Sequence, residues 1–136
     1  MPIDSSTRQL LVEAAVQARR KAYAPYSNFA VGAAILAKPH EIINGTNVEN
    51  ASYGLTTCAE RTAIFTAVTK GLTELETIAI SLQGAGAPCG ACRQVLREFA
   101  PNLLVIMTDP EGQVQRETTL DQLLPDSFGP KNLVKS

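Results

Sequence analysis

Phe29-Ala30-Val31-Gly32-Ala33-Ala34-Ile35-Leu36-Ala37 carries no charged or strongly polar residue on either of its alternating faces. A strand with one face in water would alternate apolar and polar side chains, so this run predicts a strand covered on both sides. Ile78–Leu82 and Leu103–Met107 read the same way. Ile42 and Ile43 mark another strand, and Gln113–Thr118, alternating and more polar, suits a sheet edge. Helical patterns fill the spaces between. The first runs from Ser6 to Ala22: Ser6 with Gln9 resembles a capping box, and Leu11, Ala15, Ala18 and Ala22 recur at helical spacing. Pro25 ends it, because proline forces the preceding residue into extended conformations. Further helices are predicted over Cys58–Lys70 and Gly90–Ala100, with a short one at Leu120–Leu124. Helices alternating with doubly covered strands imply an α/β layered sandwich around a central sheet of about five strands.

At 136 residues the chain suits one substantial core, and with no repeat, linker or low-complexity tract residues 1–136 read as a single domain. Twelve basic and 13 acidic residues give a net charge of −1. They are scattered, so no basic stripe announces nucleic acid and no basic amphipathic helix announces a membrane surface. No signal-peptide pattern and no bilayer-length apolar run is apparent. Three cysteines, an odd number, argue against a secreted disulfide scaffold. The expected compartment is the cytoplasm, where thiols stay reduced.

Those cysteines carry the chemistry. They stand as Cys58-Ala59-Glu60 and Pro88-Cys89-Gly90-Ala91-Cys92. Three thiolates can hold Zn²⁺ and leave its fourth tetrahedral position open to water. Glu60 could then move protons on and off whatever that water attacks. Cys58 and Cys89 begin predicted helices, where free N–H groups favour the thiolate. Three thiolates around Zn²⁺ leave excess negative charge. Arg61, three residues after Cys58, comes back over that thiolate, and Arg93 beside Cys92 is a weaker compensator.

Competing readings attach to the same residues. A C-x-x-C pair also suits a thioredoxin-like redox site, although the third cysteine beside Glu60 does not follow from it. A structural zinc site wants a fourth ligand, and the only histidine, His40, sits in a predicted turn far along the chain. Glu60 could be a solvated helix residue. Its neighbours Ala59, Ala63, Ile64, Phe65, Ala67 and Val68 instead predict a helix buried on most sides, and a carboxyl with a raised pKa.

Thr57-Cys58-Ala59-Glu60-Arg61-Thr62-Ala63 with Pro88-Cys89-Gly90-Ala91-Cys92-Arg93-Gln94 resembles the short, homotetrameric cytidine deaminases. The resemblance extends to Tyr26, Phe29–Ala33 and Asn47-Val48-Glu49-Asn50-Ala51, reaching about Phe128. It implies a three-layer α/β/α sandwich with a mixed central sheet. It also implies one Zn²⁺ per subunit on Cys58, Cys89 and Cys92, activating water for attack on C4 of cytosine. Glu60 would take the water's proton, deliver it to N3, and later protonate the departing amine. The family's ribose-binding pair corresponds to Asn47 and Glu49, expected to make bidentate contact with sugar hydroxyls. Phe29 would pack on the pyrimidine, the Ala59 backbone N–H would hold the base carbonyl, and Phe128 of one subunit would close a neighbour's site, with Tyr53 near the subunit boundary. Without the family, Phe29 suits core packing and Asn47 and Glu49 suit a turn and a solvated charge.

The turn after the first strand departs from the family, reading Pro39-His40 in place of Asp-Gly, and Gln83–Ala87 forms a short loop. The expected substrates are free cytidine and 2′-deoxycytidine. A related deaminase substrate (a nucleoside-like antibiotic or a nucleic-acid base) and a non-enzymatic zinc or redox module are the rival classes.

Overall fold

A computed structural model of the chain describes residues 3–133. It contains helices α1 (Ser5–Arg19), α2 (Ala59–Thr69), α3 (Gly90–Phe99) and the single turn α4 (Leu120–Leu123). The strands are β1 (Val31–Ala37), β2 (Glu41–Thr46), β3 (Leu75–Leu82), β4 (Leu104–Thr108) and β5 (Val114–Thr119). They form one five-stranded sheet in the order β2-β1-β3-β4-β5. Only β3 and β4 are parallel, so the sheet is mixed.

The double apolar faces of the central strands have the expected consequence. Ala33, Ile35, Ile78, Ile80, Val105 and Met107 face α2 and α3 in one core, with Ala63, Ile64 and Leu96. The alternate residues Ala34, Leu36, Ala79 and Ile106 face Leu11, Val12, Ala15 and Val16 of α1 in the other. Helices therefore cover both faces, giving three layers. Each fully buried Ile or Leu contributes about 1.5–3 kcal/mol of hydrophobic stabilisation.

Strand direction places the ends that matter. β1 is antiparallel to both β2 and β3, so β2 and β3 run the same way and finish at one edge of the sheet. The chain leads from those ends into α2 and α3, whose N-termini therefore lie together. β1 begins at that edge, with Val31 paired to Leu82 and Gly32 to Thr46. Ligand sites of open α/β sheets form at such strand ends.

Several boundaries differ from the sequence reading. The N-cap of α1 is Asp4, whose carboxylate accepts from Thr7 N (2.8 Å), so the Ser6/Gln9 box does not form. α1 stops at Arg19, short of Ala22, because the chain turns to pair Tyr23 with Val48. β1 starts at Val31 and not Phe29: the Asn47 side chain accepts from Val31 N (2.9 Å) and donates to Phe29 O (2.8 Å), displacing ladder bonds there. Phe65 and Val68 are exposed on the outer face of α2, which is buried along Ala59, Glu60, Ala63, Ile64 and Ala67 only.

Gly32 and Gly45 set how closely the helices approach the sheet. A Cβ on Gly32 would stand 2.8 Å from Arg19 Cα, and closer still to Ala15 O. A Cβ on Gly45 would stand 2.7 Å from Ala59 O and meet Ala63 N. These neighbours are backbone and cannot rotate away. Gly45→Ala is therefore expected to cost about 1–3 kcal/mol or more, and to weaken metal binding by lifting α2 and Cys58 off the sheet. Urea midpoints and zinc titration check this; an unchanged midpoint would mean α2 has room to spare.

Candidate metal centre and active site

Cys58 is the N-cap of α2 and Cys89 the N-cap of α3. Cys92 is one helical turn further along α3, on the same side, and fully buried. Helix starts leave several backbone N–H groups unpaired, and their field favours negative charge at the spot where both helices point. The sulfurs of Cys58 and Cys89 are 3.9 Å apart, those of Cys89 and Cys92 3.4 Å, and all three lie within 4.8 Å of one another. Tetrahedral ligands at about 2.3 Å from zinc stand about 3.8 Å apart, so the thiols fit that ion. No other group of metal-ligating side chains occurs among the described residues, and His40 is outside this one.

The Arg61 guanidinium donates from Nη2 to Cys58 Sγ at 3.2 Å, while its buried Nε has no partner among the described residues. Hydrogen bonding with Cys92, and then Arg61, holds the Cys58 thiol well below its ordinary pKa. The same bond, together with burial, pushes Cys92 upward. Without metal the cluster therefore shares its protons unevenly, and binding an ion would expel them. Glu60, in the first turn of α2, is only 5% exposed. Burial, with the adjacent Cys58 thiolate, pushes its carboxyl up to about 7. Such a group both gives and takes a proton near neutrality.

A second cluster stands where β1 begins. Asn47 is 7% exposed, and its amide spans Phe29 O and Val31 N as described. Glu49 accepts from Tyr26 N (2.9 Å) and Ser27 N (3.1 Å) at Oε1, and from the Ser27 hydroxyl at Oε2. These bonds, the Ser27 hydroxyl first, hold its pKa below the usual carboxylate range. One loop, residues 26–31, is thus held by both side chains.

The family model for the zinc-binding region of cytidine and deoxycytidylate deaminases matches residues 5–108. The cytidine deaminase of Halalkalibacterium halodurans is 48% identical over 124 residues, covering 89% of this chain and 93% of that protein. The chain belongs to the cytidine deaminase family. The crystal structure of cytidine deaminase from Burkholderia pseudomallei superposes with a TM-score of 0.84 at 50% identity, over 93% of this chain and 100% of that one. The enzyme from Mycobacterium tuberculosis gives 0.78 at 40% identity, over 94% and 99%. These matches agree with the α/β sheet described above, and the cofactor of the family region is the ion that the three thiols fit.

Other residues of the deaminase motifs fall as follows. Phe29 is 46% exposed, so it is not the core residue that its apolar run also allowed. Phe128 is 57% and Tyr53 73% exposed, and the Tyr53 ring lies 5.9 Å from that of Tyr26. Ala59 is the first residue of α2. Arg93 does not serve the thiolates: it donates to Pro88 O (2.8 Å) and Leu123 O (2.7 Å), both neutral carbonyls that need a donor. Sequence reasoning missed Ser27, Gln94 and Arg97. Gln94 donates to Phe128 O (2.9 Å) and Arg97 to Ser127 Oγ (2.7 Å), together fixing the backbone beneath Phe128. Nothing in the local pattern marks these contacts, which join residues 30 or more positions apart.

Proposed function

We propose that this chain, acting as a single catalytic domain over residues 1–136, hydrolyses free cytidine and 2′-deoxycytidine to the corresponding uridines and ammonia, a reaction of pyrimidine salvage. The observation that carries the reading is the juxtaposition of three thiols at two helix N-termini with the buried carboxyl of Glu60 in the first turn of one of those helices. Zinc held by Cys58, Cys89 and Cys92 supplies a Lewis acid that brings the pKa of water near neutrality. Glu60 takes one proton from the attacking water and gives it to N3 of the ring, then takes the proton of the new C4 hydroxyl and gives it to the amine, so that C4=O forms as ammonia leaves. Arg61 offsets the negative charge of the thiolates. The Ala59 N–H, at the first position of α2, is oriented by the helix to receive the base carbonyl. The half-exposed Phe29 ring offers a face for the pyrimidine.

Hydrogen-bonding capacity refines the sugar contacts. Asn47 retains one N–H and one acceptor position on Oδ1, and Glu49 one acceptor position on Oε2, once their contacts to the loop are counted. They are expected to contact the sugar hydroxyls through that N–H and those two acceptor positions.

The proposed assembly is a homotetramer in the cytoplasm. Its support is the exposed apolar set Tyr53, Phe65, Val68 and Phe128, which a partner surface would cover. Phe128 of one subunit would lie over the base in its neighbour's site. Phe128→Ala is then expected to raise KM about 2- to 12-fold, the loss of one aromatic contact, without removing zinc. Mixing it with Glu60→Gln subunits should change total activity through shared sites; strictly proportional activity in the mixtures would count against sharing.

The test of function is loss of cytidine absorbance with purified, zinc-loaded protein, with free cytosine and a single-stranded oligonucleotide as alternative substrates. Turnover of cytidine and deoxycytidine is expected to far exceed both. Oligonucleotide rates rivalling cytidine would overturn the nucleoside assignment.

A further inference from the structure

Resting on the deaminase reading above, we infer that Ser27 is a positioning residue that locks the sugar-binding carboxylate and the base-stacking ring into one unit. An ionised carboxylate only accepts hydrogen bonds, so the Ser27 hydroxyl must be the donor to Glu49 Oε2. Its oxygen in turn accepts from the backbone N–H of Phe29 at 3.0 Å. Between them Asn28 has φ +58°, a left-handed conformation that asparagine tolerates better than most residues. That reversal lets the chain return Phe29 N–H onto the hydroxyl two residues before it. The single oxygen of Ser27 therefore touches both the carboxylate that reads the sugar and the backbone of the residue that faces the base.

The rest of the loop is anchored independently of this oxygen. Tyr23 N donates to Asn47 O (3.0 Å), Glu49 N to Tyr23 O (2.8 Å) and Asn28 N to Ala24 O (3.0 Å). Arg19 Nε holds Ala30 O at 3.1 Å. Ser27 is exposed and buries nothing in either core. Removing its hydroxyl leaves the fold and both backbone donors to Glu49 in place, but frees Oε2 and the Phe29 N–H to turn toward water. Sugar and base contacts then lose their fixed separation. Both act in binding the nucleoside and neither moves a proton, so the loss should appear in KM.

The experiment is steady-state kinetics with cytidine on zinc-loaded protein, comparing Ser27→Ala, Ser27→Thr, Glu49→Ala and the double variant Ser27→Ala/Glu49→Ala. Ser27→Ala is expected to raise KM about tenfold with kcat within about twofold, as for a lost hydrogen bond to a charged group. Ser27→Thr keeps the hydroxyl and should return KM to within about threefold of the parent. In the Glu49→Ala background, Ser27→Ala should add no more than about threefold, because its principal partner has gone. An unmoved KM in Ser27→Ala, a threonine that fails to rescue, or a full tenfold effect in the Glu49→Ala background overturns the inference while leaving the deaminase reading intact. A zinc-replete parent that does not turn over cytidine overturns both.

Discussion

Glu60→Gln is expected to keep its zinc and lose at least ~10³ in kcat. The carboxyl is buried beside the thiol cluster, and its pKa of about 7 suits a group that accepts a proton and returns it within one turnover. Glutamine has the same size and a hydrogen-bonding head, so α2 and Cys58 should stay where they are. It has no proton to relay at any pH near neutrality. The effect exceeds that of losing one hydrogen bond because the same group serves successive steps: deprotonation of water, protonation of N3, deprotonation of the new C4 hydroxyl, protonation of the leaving amine. Elemental analysis beside kcat separates the two possibilities. A variant with near-native turnover would remove Glu60 from the proton path.

Cys89→Ala is expected to lose zinc and activity together, the zinc content falling from one per subunit to almost none. Two remaining thiols cannot close a tetrahedral site, and tight zinc binding of about 10–16 kcal/mol depends on the full ligand set. Cys89 is the informative choice among the three. It is exposed, whereas Cys92 is fully buried, so Cys92→Ala would also leave a cavity in the core. With Cys89→Ala the fold should persist, measured by unchanged far-ultraviolet circular dichroism, while absorbance loss with cytidine falls to background. Activity without bound metal would sink the mechanism.

The Phe29–Ala37 run predicted a doubly covered strand, and the two cores on opposite faces of Ala33–Leu36 are its outcome. Legibility was good there because alternation along a strand is a local property that burial on both faces erases. It was poorer at ends. Whether a strand begins at Phe29 or Val31 depends on an asparagine 16 or more positions away, and no short window contains that information. The outer face of α2 misled for a related reason: Phe65 and Val68 read as core, but a helix on a sheet buries one stripe, here the alanines that fit against Gly45. Arg93 was misjudged because adjacency to Cys92 in sequence says nothing of which carbonyls lie within reach of its guanidinium.

The sequence by itself determined the chemistry: three thiols, a glutamate two residues from one of them, and an arginine three residues on, with spacings short enough for helix geometry to place them. It also determined the class of fold, through the apolar strands. The tertiary structure decided what those groups share. Only the direction of β2 and β3 brings the starts of α2 and α3 to one edge, and only the sheet order brings β1 and its preceding loop there as well. Burial of Glu60, the exposure of Phe29 and the lock of Ser27 onto Glu49 all follow from that convergence. The physical reason is range. Spacing fixes what lies within a turn or two of helix, whereas desolvation and hydrogen bonds between distant segments exist only once the chain has folded.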